Sequence, residues 1–230
     1  MVARVNILAI ETATTTCAIG LRLATGDEFE VVLDAQRHHT ETLMPGVADL
    51  LASVHVTASQ LDRIVVDRGP GLYTGLRVGV ATAIGLSLGA NADLVSVTSL
   101  EVLAHDAHRG GVRGNLVAAV DGRRGELFVQ TFVLSDAAIA VDEPAVTTPG
   151  ELAARLDGSG ENVILVGDGV RRYEVELSTI ATATLLLDYS TPSALVALEL
   201  GAARLPDEIV TPLYLRDADA VVNFTTRERQ

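Results

Sequence analysis

The chain carries the same pattern twice. "ILAIETATTTCAIGLRL", beginning at Ile7, and "LVAAVDGRRGELFVQTFVL", beginning at Leu116, each read as an apolar strand ending in a carboxylate, a short turn of small or polar residues, and a second apolar strand. They stand about 110 residues apart in a chain of 230. A repeat at half the chain length predicts a duplicated, two-lobed α/β protein made of βββαβα units, with the change of lobe falling near residues 98 to 112. The division adopted is residues 1–98 for the N-terminal lobe and 99–230 for the C-terminal lobe. The polar end of "PLYLRDADAVVNFTTRERQ" is expected to be loose or to pack back on the body.

Within the first lobe, Val5 to Ile10, Cys17 to Leu23 and Phe29 to Leu33 are rich in branched apolar residues and separated by turn-forming stretches, so they predict three consecutive strands. From Thr42 the apolar positions are Leu43, Met44, Val47, Leu50, Leu51 and Val54, the three-and-four spacing of an amphipathic helix, with Pro45 tolerated in its first turn. Leu61 to Val66 predicts a strand, Thr74 to Gly89 a helix, and Leu94 to Val97 a strand. A helix from Leu100 to His108 leads into the second copy. There, helices are expected at Pro149 to Leu156, Val170 to Leu177 and Ser193 to Leu205, with a strand at Val163 to Val166.

Composition removes several classes of function. Hydrophobic residues make up 48% of the chain, enough for a substantial core, while aromatics are 3% and tryptophan is absent. A surface that stacks bases is therefore disfavoured. The formal charge of −13, with arginines alone or in short pairs such as Arg123-Arg124 and Arg171-Arg172, disfavours independent binding of a phosphate backbone. The longest apolar run, Val78 to Ala90, falls short of the roughly 20 residues that span a bilayer. The N-terminal apolar run ends at Glu11 and reads as a strand instead of a secretory signal. The single cysteine, Cys17, cannot form an internal disulfide and fits a reducing, cytoplasmic setting.

The most conspicuous local motif is "RGPGLYTGLRVG", Arg68 to Gly79. It lacks the Gly-Lys-Ser or Gly-Lys-Thr of a Walker loop, and its glycines are spaced G-x-G-x-x-x-G, not the G-x-G-x-x-G of a dinucleotide loop. What it predicts is a strand, a Gly-Pro-Gly turn, and a helix with Thr74 as N-cap. An anion at that helix start is a secondary reading. Gly75, Gly79 and Ala83 are four apart, as are Gly85 and Gly89, and each interior glycine costs a helix about 1 kcal/mol relative to alanine. Something must compensate. Either this helix packs closely on its own sheet, or with the helix beginning at Leu43 it forms a contact with another subunit.

Other candidate chemistry is thin. Glu11 and Asp121 end the first strands of the two halves; they either cap the following turns or point into a cleft between the lobes. The histidines His38, His39, His55, His105 and His108 are not arranged with a carboxylate in a convincing metal motif. No G-x-S-x-G occurs, and Cys17 has the surroundings of a core residue.

Taken together, "ILAIETATTTCAIGL", "RGPGLYTGLRVGVATAIGLSLG", "VTSLEVLA", "VDGRRGELFVQTF" and "PLYLRDADA" resemble the TsaB (YeaZ) family, over residues 5 to 220 or so. The resemblance implies the duplicated actin-like, Hsp70-like, sugar-kinase-like fold (ASKHA). It also implies an accessory role in making threonylcarbamoyladenosine in tRNA, beside the paralogue TsaD, which transfers the threonylcarbamoyl group to N6 of adenosine 37 in tRNAs that read ANN codons. Where TsaD carries N-H-L-E-G-H with two metal-binding histidines, this chain has "TSLEVL", placing Ser99 and Leu103 at those positions, and leucine cannot ligate a metal.

The implied function is thus that of a subunit with no catalytic, metal or cofactor site. TsaD and the ATPase TsaE are the implied partners, with tRNA met only through the complex and a homodimer formed when the subunit is alone. The implied partner surface consists of Leu43, Met44, Val47, Leu50, Thr74, Gly75, Leu76, Val78, Gly79, Ala83 and Leu86. Glu11, Thr12 and Asp121 would mark a vestigial cleft. Two departures from the family pattern stand out: Leu72-Tyr73, where Ser-Phe is commoner, and Asp67-Arg68, where small residues are usual. A nucleotide hydrolase of the same fold, a metallopeptidase-like enzyme and an independent regulatory homodimer are the alternatives.

Overall fold

The computed structural model of the chain describes residues 5–33 and 39–216. Its order is β1 (Ile7–Glu11), β2 (Cys17–Arg22), β3 (Glu28–Leu33), α1 (His39–Ser53), β4 (Arg63–Asp67), α2 (Tyr73–Ala90), β5 (Asp93–Val97) and α3 (Ser99–Arg109). There follow β6 (Gly114–Arg123), β7 (Glu126–Leu134), β8 (Ala138–Ala140), β9 (Ala145–Thr147), α4 (Pro149–Ser159), β10 (Val163–Val166), α5 (Asp168–Arg172), α6 (Glu174–Leu177), β11 (Ala183–Leu185) and α7 (Ala194–Ala202).

The expected duplication is visible in the sheets. The first runs β3-β2-β1-β4-β5 and the second β8-β7-β6-β10-β11, so both place the first strand of their unit at the centre. In each, that strand is antiparallel to the second and parallel to the strand after the intervening helix, β4 or β10. A central strand is covered on both faces, which is why Ile7, Leu8, Ala9 and Ile10 form an unbroken apolar run and are all buried. β3 lies at an edge and is largely exposed. Strand β9 pairs with β7 off the main path.

The helices close the layers. On one face of the first sheet, α1 buries Leu43, Val47, Leu50 and Leu51, and α2 buries Val80 and Ala83, against Leu8, Ile10 and Ile64. The helix that follows the last strand of each sheet packs on the other sheet. Leu100, Leu103, Ala104 and Ala107 of α3 share a core with Leu116, Val120 and Phe132 of the second sheet. Ala194, Ala197 and Leu198 of α7 pack on Ile7, Ala9 and Val65 of the first. Gly20 permits that return: a Cβ there would stand 2.9 Å from the Ala194 carbonyl oxygen.

Local differences from the sequence reading have simple causes. Helix α1 starts at His39, so Pro45 sits beyond the first turn, where its missing N–H removes one backbone bond. Helix α2 starts at Tyr73, and Thr74 is inside its first turn instead of capping it. The N-cap is Leu72, whose N–H donates to the Ala13 carbonyl at 2.7 Å. "TSLE" is a capping box: Thr98 Oγ1 accepts from the Glu101 N–H, and Glu101 Oε2 accepts from the Thr98 N–H. Thr148 and Glu151 make the same box on α4.

Candidate functional site

Glu11, at the end of β1, and Asp67, at the end of the neighbouring β4, are both fully buried. Each caps its own turn, as one of the two sequence readings had it for Glu11. Glu11 Oε1 accepts from the Ala13 N–H at 2.8 Å, and Asp67 Oδ1 accepts from the Gly69 N–H at 2.7 Å. Ser99 Oγ, at the start of α3, lies 3.0 Å from Asp67 Oδ1 and 2.8 Å from the Pro70 carbonyl oxygen, two acceptors for its one proton. The second oxygens, Glu11 Oε2 and Asp67 Oδ2, are buried with no hydrogen-bond partner within the 3.5 Å limit of such a bond among the described residues.

Two carboxyl groups buried side by side do not both carry charge without a large cost. Burial, and then the charge of Asp67, push Glu11 well above the usual carboxylate range, and burial raises Asp67 too. The pair is best described as one carboxylic acid and one carboxylate sharing a proton. Thr12 beside them donates from Oγ1 to the Gly75 carbonyl at 2.9 Å, pinning the end of β1 to the first turn of α2. Asp121 in the second lobe has partners of its own. It accepts from the Arg123 N–H at 2.9 Å, and its Oδ2 lies 3.0 Å from Arg123 Nη1 and 3.5 Å from Arg172 Nε. Its N–H donates to Asp168, whose carboxyl burial pushes up to about 6.

The side chains assigned to a partner surface divide by face. Leu43, Val47, Leu50, Gly75, Leu76, Gly79 and Ala83 are buried within the chain itself. For these the expectation of an outward seam is corrected, because they face the chain's own sheet. Gly79 is small since the Thr12 side chain fills the place a Cβ would take. Met44 and Thr74 are exposed, and Val78 and Leu86 half-buried. The outward row of α2 is Ala81, Gly85, Leu88 and Gly89, which the sequence reading did not assign to the surface. Leu88 is 78% exposed, and a Cβ at Gly85 or Gly89 would meet nothing within 4 Å. At the N-terminal end of the same face, Tyr73 stacks on Tyr214 with centroids 5.0 Å apart, and Arg77 lies over Tyr73.

The remaining candidates are structural. Ser99 belongs to the Asp67 network and Leu103 to the core. Cys17 is buried, which raises its thiol to about 11. His38 lies outside the described residues. His108 Nε2 is 3.1 Å from the Ser135 carbonyl oxygen, and burial lowers His105. Among the described residues no group of three or more His, Cys, Asp or Glu side chains could hold a metal, and no helix is long and apolar enough to cross a membrane.

Comparison with known proteins gives a consistent set of relatives. Residues 33–187 match the family model described as "TsaD: tRNA N6-adenosine threonylcarbamoyltransferase". The tRNA threonylcarbamoyladenosine biosynthesis protein TsaB of Haemophilus influenzae is 28% identical over 227 residues, covering 92% of this chain and 94% of its own. The protein of the same name from Escherichia coli is 30% identical over 168 residues, 71% of each chain. Among solved structures, YeaZ from Pseudomonas aeruginosa superposes with a TM-score of 0.72 at 27% identity, covering 86% of this chain and 90% of that one.

Proposed function

The chain belongs to the TsaB (YeaZ) family of tRNA threonylcarbamoyladenosine biosynthesis proteins, and on that premise we propose that it is a non-catalytic subunit that supports a TsaD partner. The observation carrying this reading is the outer face of α2. Ala81, Gly85 and Gly89 form a small-residue row beside the exposed Leu88, with Met44 exposed on the neighbouring α1. Glycines inside a helix weaken it, and nothing in the described chain compensates at Gly85 and Gly89. A partner helix laid along that row would. The proposed contact thus comprises Met44, Thr74, Val78 and Leu86 together with Ala81, Gly85, Leu88 and Gly89.

The cleft supports the same reading. A general acid or base must reach its substrate, whereas Glu11 and Asp67 are sealed in the core and each spends an oxygen on its own turn. In this proposal TsaD carries the threonylcarbamoyl transfer, TsaE docks on the pair, and tRNA is met through the complex in the cytoplasm. A second copy of the chain would occupy the α1–α2 face when TsaD is missing. The lobes are proposed to divide at 98/99, the first bearing the partner helices, with α7 of the second lobe returning to pack on the first sheet.

The test is reconstitution of the tRNA modification from purified components. Omitting this chain should abolish or strongly reduce product, and the chain alone should turn over neither ATP nor peptide. Full activity without it, or hydrolysis by the pure chain, would overturn the proposal.

A further inference from the structure

A cavity of about 450 Å³ lies where the edge of the first sheet meets the second lobe, within the size range of small-molecule sites. One wall is the stretch after β4 and β5, with Arg68, Ser96 and Thr98; another is Gln130 and Glu143 of the second lobe; the third is the segment after α7, with Arg204 and Asp207. Most of its polar groups are already matched. Arg204 Nη2 is 2.9 Å from Glu101 Oε1, and its Nη1 donates to the Ser96 carbonyl at 3.0 Å. Asp207 Oδ2 accepts from the Ser96 N–H at 2.6 Å and from Ser96 Oγ at 2.8 Å, while Gln130 Nε2 donates to the Asp142 carbonyl.

Two groups of opposite sign are left over, one from each lobe. Neither the guanidinium of the half-buried Arg68 nor the carboxylate of the exposed Glu143 makes a hydrogen bond or an ion pair with a described residue. A guanidinium cannot shed its charge and offers a fork of N–H donors that matches a carboxylate. The backbone under Arg68 is fixed from both sides, its N–H donating to the Val97 carbonyl at 3.0 Å and its carbonyl accepting from the Leu213 N–H at 2.7 Å. Arg68 is thereby placed at the cavity wall. Thr98 offers a hydroxyl, and Val97, Leu213 and Leu215 give an apolar patch for a short side chain.

We infer that this cavity binds a small zwitterion of the α-amino acid class, its carboxylate on Arg68 and its ammonium on Glu143, so that the ligand spans the two lobes. The site does not depend on the proposed partnership and is testable on the purified full-length chain alone. Calorimetric titration with a panel of the standard α-amino acids, and with the matching acids lacking the amino group, reads it directly. The expected result is saturable one-site binding of at least one amino acid, weakened at least tenfold by Arg68→Met and by Glu143→Gln, and at least tenfold weaker for the deaminated acid. Thermal melts of both variants should match the parent. The inference is overturned if no amino acid saturates, if both variants bind like the parent, or if the deaminated acid binds equally well.

Discussion

Replacing Asp67 by asparagine removes one of the two buried acids while keeping the shape of the site. The oxygen of the introduced amide could still accept from the Gly69 N–H and the Ser99 hydroxyl, and its nitrogen would face Glu11 Oε2, which has no hydrogen-bond partner in the parent. The parent pair must hold a shared proton to stay folded, whereas an unfolded glutamic acid releases its proton near pH 4.3. The sign follows from the raised folded value of Glu11. A carboxyl raised on folding contributes stability that is complete below its unfolded pKa and is lost as pH rises toward its folded one.

The loss is about 1.4 kcal/mol for each pH unit over which only the folded state keeps the proton. Asp67→Asn takes away the charge of Asp67 but leaves Glu11 buried, so the variant should lose stability less steeply than the parent as pH rises from 5 to 7, by at most about 1.4 kcal/mol per pH unit. Urea unfolding of both proteins at half-unit pH steps gives the difference, with equal urea dependence required of the two before they are compared. A difference in stability that stays constant from pH 5 to 7 would refute the shared-proton description of Glu11 and Asp67.

Four further outcomes follow from the same contacts. Gly79→Arg should cost the isolated chain about 3 kcal/mol or more, because Thr12 already fills the space, as read by a melt without partner. Gly85→Arg should leave that melt unchanged and weaken association with TsaD at least tenfold, since its Cβ points into open space. Thr12→Val should cost about 1 kcal/mol by removing the bond to the Gly75 carbonyl, measured by urea unfolding. Asp168→Asn should remove the part of the pH dependence lying between about pH 4 and 6, a span worth about 3 kcal/mol, with stability of the parent falling as pH rises through it.

The duplication was legible because a buried central strand writes a continuous apolar run, and both copies end theirs in a carboxylate, Glu11 and Asp121. The long helices were legible for a similar reason: α1 shows a clear three-and-four pattern. Strands β8, β9 and β11 were not, since three residues such as Ala138–Ala140 carry no period and owe their state to the neighbour they pair with. The faces of α2 were also hidden. This helix is apolar and small on both sides, Gly75, Gly79 and Ala83 inward and Ala81, Gly85 and Gly89 outward, so spacing could not say which row meets the sheet. Asp67 stood in the sequence as a departure from the family pattern, and only the pairing of β1 with β4 reveals that it shares a site with Glu11. The cavity at Arg68 is assembled from segments far apart in the chain, and no local signal marks it.

The central claim is that the outer face of α2 exists for a partner and the inner face for the fold. Sedimentation of the purified chain mixed with the TsaD protein of the same organism tests it most directly. A one-to-one complex is expected with the parent and with Asp67→Asn, and its loss with Gly85→Arg at unchanged melting temperature. A complex of full strength with Gly85→Arg, or none with the parent, would contradict the account.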